Sequence, residues 1–94
     1  MQFIVYTEDK DDGAPIRVAN RDAHLEWLKS GKGAKVLAAG PWLDDEGTMK
    51  GSLLIVEAES RAAIEAWAAT DPYAIAGLPK SVMIKAYKWV IGAP

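Results

Sequence analysis

Phe3 and Val5 fall on one side of the segment Gln2–Thr7, and Ile4 and Tyr6 on the other, which is the two-residue period of a β-strand. Both sides carry apolar groups, which a sheet wetted on one face does not need. A polar loop with Asp12-Gly13 and Pro15 follows. The period then changes. Arg21, His24, Leu25 and Leu28 recur at three- and four-residue spacing, which predicts a helix capped by Asn20 and running to about Ser30. Gly31 or Gly33 closes it, and Trp27 lies along its edge.

Ala34–Leu43 reads as a second strand, interrupted by Gly40-Pro41; a proline there marks an edge, a bulge or a strand end. Asp44-Asp45-Glu46-Gly47 is a hairpin-type loop into a third strand, Lys50–Ala58, whose centre Leu53-Leu54-Ile55-Val56 is apolar on both faces. Ser60 caps a helical segment over Ser60–Tyr73, where Ile64, Trp67 and Ala68 share one face and Asp71 comes next on that stripe. Pro72 disfavours helical geometry at Asp71. Tyr73–Ala76 adds a turn, stopped by Gly77 and Pro79. Ser81–Val90 is the last strand, with Val82, Ile84 and Ala86 on one face, and Ile91–Pro94 is a tail. The order βαββαβ predicts an α+β, ferredoxin-like sandwich: an antiparallel sheet with both helices on one face. Helices on one face leave the other apolar face to be covered, and a second copy of the same sheet is the least demanding cover.

Composition narrows this picture. Ninety-four residues, half of them hydrophobic, suit one domain spanning 1–94. The chain has no cysteine, so disulfides, thiol nucleophiles and thiolate metal sites are excluded. With one histidine and no recognisable ligand spacing, no metal and no cofactor is expected. A net charge of −2 argues against polyanionic partners. The acidic clusters Glu8–Asp12 and Asp44–Glu46 read as solvated turns. The N-terminus lacks a basic region, and no apolar run approaches the roughly 20 residues that span a bilayer. A cytoplasmic chain without membrane contact is expected. The RNA-recognition module shares βαββαβ order, and Lys50-Gly51 matches the start of its third strand, but Ser52, Leu54 and Glu57 stand where its stacking aromatics belong. No nucleic acid partner is expected.

His24 carries any histidine-dependent acid–base step. A single histidine on a sheet-facing stripe is more often packed and hydrogen-bonded. Asp71 before Pro72 is a helix-start signal by itself, with Asp as N-cap and Pro in the first turn. A carboxylate has acceptor sites enough to cap Tyr73–Ala76 and to hold an imidazole as well. Because the two helices of such a sandwich lie side by side, His24 and Asp71 can meet. Tyr73 offers a hydroxyl, and Gly40-Pro41 a backbone that a ligand can approach closely; the plainer readings are aromatic packing and a strand end.

Four stretches together resemble the YciI-like (YCII-related) domain family: Arg21 with His24-Leu25-Glu26-Trp27-Leu28, Ala39-Gly40-Pro41, Gly51-Ser52-Leu53-Leu54-Ile55-Val56-Glu57, and Asp71-Pro72-Tyr73 with Ala76-Gly77-Leu78. The resemblance implies a dimeric α+β barrel of two face-to-face sheets, and an active site around a His–Asp pair that falls on His24 and Asp71. Arg21, Gly40, Pro41, Ser52 and Tyr73 are then the candidate substrate-binding residues. Proteins of related architecture include isomerases, lyases and oxygenases for small, often aromatic-derived molecules, and some members are associated with dehydrohalogenation. The chain departs from the pattern at Ala86, where a proline is expected, and in Ile91–Pro94. Two functions are therefore expected to compete: a cofactor-independent lyase or isomerase moving a proton with His24 and Asp71, or a non-catalytic homodimer that binds a small ligand or a partner protein.

Overall fold

A computed structural model describes residues 1–93, so Pro94, the end of the expected tail, lies outside the described residues. The elements are β1 (Gln2–Asp9), α1 (Ala14–Lys29), β2 (Lys35–Leu43), β3 (Met49–Glu57), α2 (Arg61–Ala68), α3 (Pro72–Ile75) and β4 (Pro79–Tyr87). The strands form one sheet in the order β2-β3-β1-β4, with antiparallel neighbours throughout. This is the α+β ferredoxin-like arrangement that the element order predicts.

The core lies between sheet and helices. Phe3 and Val5 of β1 and Leu54 and Val56 of β3 alternate inward and meet Ile64 and Trp67 of α2, all nearly solvent-free. Ser60 accepts the backbone N–H of Ala63 at 3.1 Å and starts α2 as its sequence suggests. The opposite sheet face keeps Leu53 and Met83 exposed, with Ile4, Tyr6 and Ile55 half-buried among them.

Gly51 is required by a close approach rather than by a turn. A Cβ there would overlap the Thr7 carbonyl oxygen and the Trp42 indole nitrogen. That indole crosses the backbone of β3, donates to the Thr7 carbonyl at 2.7 Å and stacks on Tyr6 at 5.6 Å.

The bounds of three elements move, two of them with consequences for the site. Asn20 does not cap α1; it sits in the second turn and donates from Nδ2 to the Ile16 carbonyl at 2.9 Å. The helix begins at Ala14, with Gly13 at the N-cap and Pro15 in its first turn, where a missing N–H is harmless and a fixed φ is suited to the helix. The earlier start adds Arg17 to the stripe, one turn before Arg21. Likewise β1 continues beyond Thr7 to Asp9. At the far end, β4 runs over Pro79–Tyr87 rather than Ser81–Val90. Pro41 sits in β2, an edge strand, where the nitrogen that cannot donate faces away from the ladder.

Candidate active site

The Pro72 that stops α2 also starts α3, and Asp71 between them is positioned by that turn. Asp71 Oδ1 accepts the backbone N–H of Tyr73 at 2.9 Å, so the carboxylate caps the four-residue helix. The same oxygen lies 2.8 Å from Nδ1 of His24 on α1. One oxygen therefore does both jobs, where the lone-pair argument only required that the residue could. An ionised carboxylate accepts and cannot donate, so the shared proton belongs to Nδ1 and the neutral ring keeps its lone pair at Nε2. Nε2 has no hydrogen-bond partner among the described residues, and His24, though 6 % exposed, lines a cavity.

That cavity has a volume of about 140 Å³ and sits between α1, the start of α3, and the β2 and β3 strands. His24, Arg21, Tyr73, Gly40, Pro41 and Ser52 all stand on its wall, so the sequence-derived candidates converge, with Asp71 just behind His24. Leu25, Leu28, Ala39, Met49 and Leu54 add apolar wall. Arg21 is exposed rather than packed inward, because the helix stripe reaches the mouth of the cavity there. A Cβ on Gly40 would meet nothing within 4 Å, so no steric contact demands glycine at that point. No residue of β4 lines the cavity, so the departure at Ala86 lies away from its wall.

Arg17 and Asp9 are the site residues that sequence reasoning missed. Arg17 Nε and Nη2 donate to the two oxygens of Asp9 at 2.8 and 3.0 Å, and Nη2 also donates to Ser52 Oγ at 3.1 Å. Ser52 in turn donates its backbone N–H to Thr7 Oγ1 at 3.0 Å. Asp9 is buried, which corrects the reading of Glu8–Asp12 as a wholly solvated turn; Glu8 too is engaged, by Lys80 at 3.0 Å. A signal existed for both. Asp9 continues the odd-numbered inward parity of Phe3, Val5 and Thr7, and Arg17 lies four residues before Arg21 and seven before His24. Burial disfavours the Arg17 cation, but the hydrogen bond and charge of Asp9 outweigh it and raise the guanidinium above its ordinary pKa.

Tyr73 joins the two halves of the site. Its ring stacks on His24 with centroids 3.9 Å apart, and the Arg17 guanidinium carbon lies 4.8 Å from its centroid. Burial raises the Tyr73 phenol above its ordinary 10.0, with the Asp71 charge adding to the effect against the opposing charges of Arg17 and Arg21. At neutral pH it is therefore a hydrogen-bond donor. The folded value lies above the unfolded one, so this contribution to stability is fully present below pH 10.0 and is lost as pH rises through the raised value. A phenolate absorbance titration of the wild type minus Tyr73→Phe is expected to show a midpoint above 10.0; a midpoint at or below it would contradict the burial argument.

Among the described residues no group of three or more His, Asp or Glu converges to hold a metal ion, and no helix is long and apolar enough to cross a membrane.

With the geometry in hand, the chain can be set beside known proteins. The model of the YCII-related domain matches residues 1–88. Protein YciI of Escherichia coli is 37% identical over 97 residues, covering 96% of this chain and 99% of that protein. An uncharacterized protein of Haemophilus influenzae is 34% identical over the same length, with the same coverage. Among solved structures, 5-chloro-2-hydroxyhydroquinone dehydrochlorinase of Burkholderia phenoliruptrix, in complex with 2,5-dihydroxybenzoquinone, superposes with a TM-score of 0.84 at 33% identity, over 94% of each chain.

Proposed function

This chain belongs to the YCII-related domain family, and on that footing we propose that it is a small lyase or isomerase that moves a proton on a small, aromatic-derived molecule. One observation carries the reading: the 2.8 Å bond from His24 Nδ1 to Asp71 leaves Nε2 as an unengaged base on the wall of a cavity. A histidine kept only for packing would end on a backbone carbonyl inside the core. The dehydrochlorinase of similar structure, with its small quinone ligand, supports the same class of chemistry.

In this reading His24 Nε2 removes a proton from a carbon beside a carbonyl, and the C–H pair moves toward the carbonyl oxygen as an enolate. Asp71 holds the ring in one tautomer and balances the imidazolium that forms. The Tyr73 phenol and the Ser52 hydroxyl are the donors near the developing charge. Where the neighbouring carbon bears chloride, the pair expels it and the net loss is HCl; where it does not, the imidazolium returns the proton to a second carbon and the outcome is isomerisation. Neither branch needs an oxidant. The test is chloride release from 5-chloro-2-hydroxyhydroquinone, whose ene-dione tautomer sets a C–H beside a carbonyl next to the chlorinated carbon, together with deuterium exchange into single-ring enols in heavy water. If neither proceeds faster with the wild type than with His24→Gln, the chain is a binding domain instead.

The reading includes a homodimer through the outer sheet face. Leu53 and Met83 are each 43% exposed there, and Tyr6 and Ile55 extend the same apolar surface. Sedimentation at micromolar concentration is expected to give twice the 10.2 kDa chain mass, and Leu53→Lys with Met83→Lys to give the chain mass alone. A wild type that sediments only as the single chain would refute the dimer.

A further inference from the structure

Every carboxylate near the cavity is engaged, but one of its cations is not. Both oxygens of Asp9 go to Arg17, at 2.8 and 3.0 Å, so that guanidinium is neutralised where it sits. Asp71 is behind His24 and is not part of the wall. The wall has no carboxylate at all. Arg21 stands on it, one helical turn from Arg17 and from Leu25, and has no ion pair or hydrogen bond among the described residues.

A count of charges shows what this arrangement suits. With His24 neutral, Asp71 carries one negative charge and Arg21 one positive charge. When His24 takes a proton from a neutral ligand, the imidazolium is matched by Asp71 at 2.8 Å. The ligand is left as an anion, and the one uncommitted positive charge at the cavity is Arg21. A guanidinium presents several N–H donors in a planar fork, which suits an oxygen anion or a pair of adjacent oxygens. The size of the ligand is bounded too: the cavity measures about 140 Å³, and an apolar cavity of about 150 Å³ in another protein takes up benzene.

We propose that the site holds its ligand as a single-ring oxyanion, an enolate or phenolate, and that Arg21 binds that oxygen and selects for it. This rests on the proton-transfer reading above and names the ligand class on which that proton transfer acts. Arg17 does not substitute for Arg21, because its charge is matched by Asp9 and its Nε and Nη2 donors are held by Asp9 and Ser52.

The probe is 4-nitrophenol, whose anion is yellow and whose neutral form is not, with 4-nitroanisole as the analogue that cannot ionise. At a fixed pH where the free phenol is mostly neutral, the wild type is expected to bind it with a rise in anion absorbance. Arg21→Gln is expected to bind about tenfold more weakly and without that rise, since a charge-assisted bond at a cavity mouth falls between an exposed pair and a buried one. Arg21→Lys is expected to recover most of the absorbance rise. The anisole is expected to bind the wild type and Arg21→Gln alike, and weakly. Equal binding of the phenol by wild type and Arg21→Gln, binding of the anisole as tight as that of the phenol, or no binding of the phenol by the wild type would each overturn the assignment. Arg21 is exposed and unpaired, so its replacement leaves the fold intact. Deuterium exchange separates this claim from the one it rests on. Exchange and anion binding both indifferent to Arg21→Gln overturn the Arg21 assignment alone; anion binding through Arg21 with no exchange by the wild type overturns the proton-transfer reading alone.

Discussion

Replacing His24 by Gln is expected to slow proton transfer by about 10²–10⁴-fold, the usual contribution of one positioned base. The amide can still donate to Asp71 from the interior of the helix packing, so the chain should stay folded; what it lacks is a basic lone pair at the cavity wall. Asp71→Asn separates the two duties of the carboxylate. Asn is about as good an N-cap as Asp, so the N–H of Tyr73 keeps its partner and α3 keeps its start. The charge that balances an imidazolium is gone, and the exchange rate should fall in the same range as for His24→Gln. Asp71→Ala loses the cap as well, at about 1 kcal/mol, with a drop of about 4–8 °C in Tm for a domain of this size. The measurement is the rate of deuterium exchange beside a melting curve for each variant. A His24→Gln chain that keeps its rate to within a few-fold would remove His24 from the chemistry. An Asp71→Asn chain with a full rate would reduce Asp71 to a cap.

The largest loss of stability is expected at Asp9 and Arg17. Their side chains are 4% and 8% exposed, and two hydrogen bonds join them. Removing one partner leaves the other charged in a place where water cannot solvate it, a change that typically costs about 3–5 kcal/mol. Asp9→Asn or Arg17→Met should therefore lower Tm by about 12 °C or more, at about 4–8 °C per kcal/mol. The double variant Asp9→Leu with Arg17→Met carries no orphan charge and should recover a good part of the loss, because a buried pair replaced as a pair is often close to neutral. Calorimetry on the two single variants and the double variant decides the matter. If Asp9→Asn melts within about 1 kcal/mol of the parent, the pair is not load-sharing in the fold; if the double variant loses as much as the singles, the contribution is packing rather than charge. Since Arg17 also donates to Ser52 and lies over Tyr73, the same variants should loosen the cavity wall.

These two sets of residues differ in how far they could be read from the chain. His24 and Asp71 carried local marks: a sole histidine on a three- and four-residue stripe, and an Asp-Pro at the end of another. Each mark is local, and the βαββαβ order by itself places the two helices side by side. Asp9 and Arg17 carried only their place in a period, with residue types that argue against burial. A charged residue in an acidic run or at the start of a helix looks like surface, because hydrophobic periodicity weighs each side chain singly, and a buried ion pair is tolerated only as a pair. The start of α1 was hidden by the same fact. Its stripe begins with a buried arginine, and Gly13 offers no capping side chain.

The chain alone was enough for the order of elements, the two-sided apolar character of β1 and β3, and the two residues of the proposed dyad. Those are consequences of periods and turn residues, which act over a few neighbours. Tertiary structure alone decided that one oxygen of Asp71 serves both Tyr73 and His24, that Asp9 silences Arg17, and that Arg21 is left unpaired at the mouth of the cavity. Each of these turns on which polar groups have already met a partner. The side-chain pairs Asp9–Arg17 and His24–Asp71 come together over separations of 8 and 47 residues, and only the packed chain sets those distances.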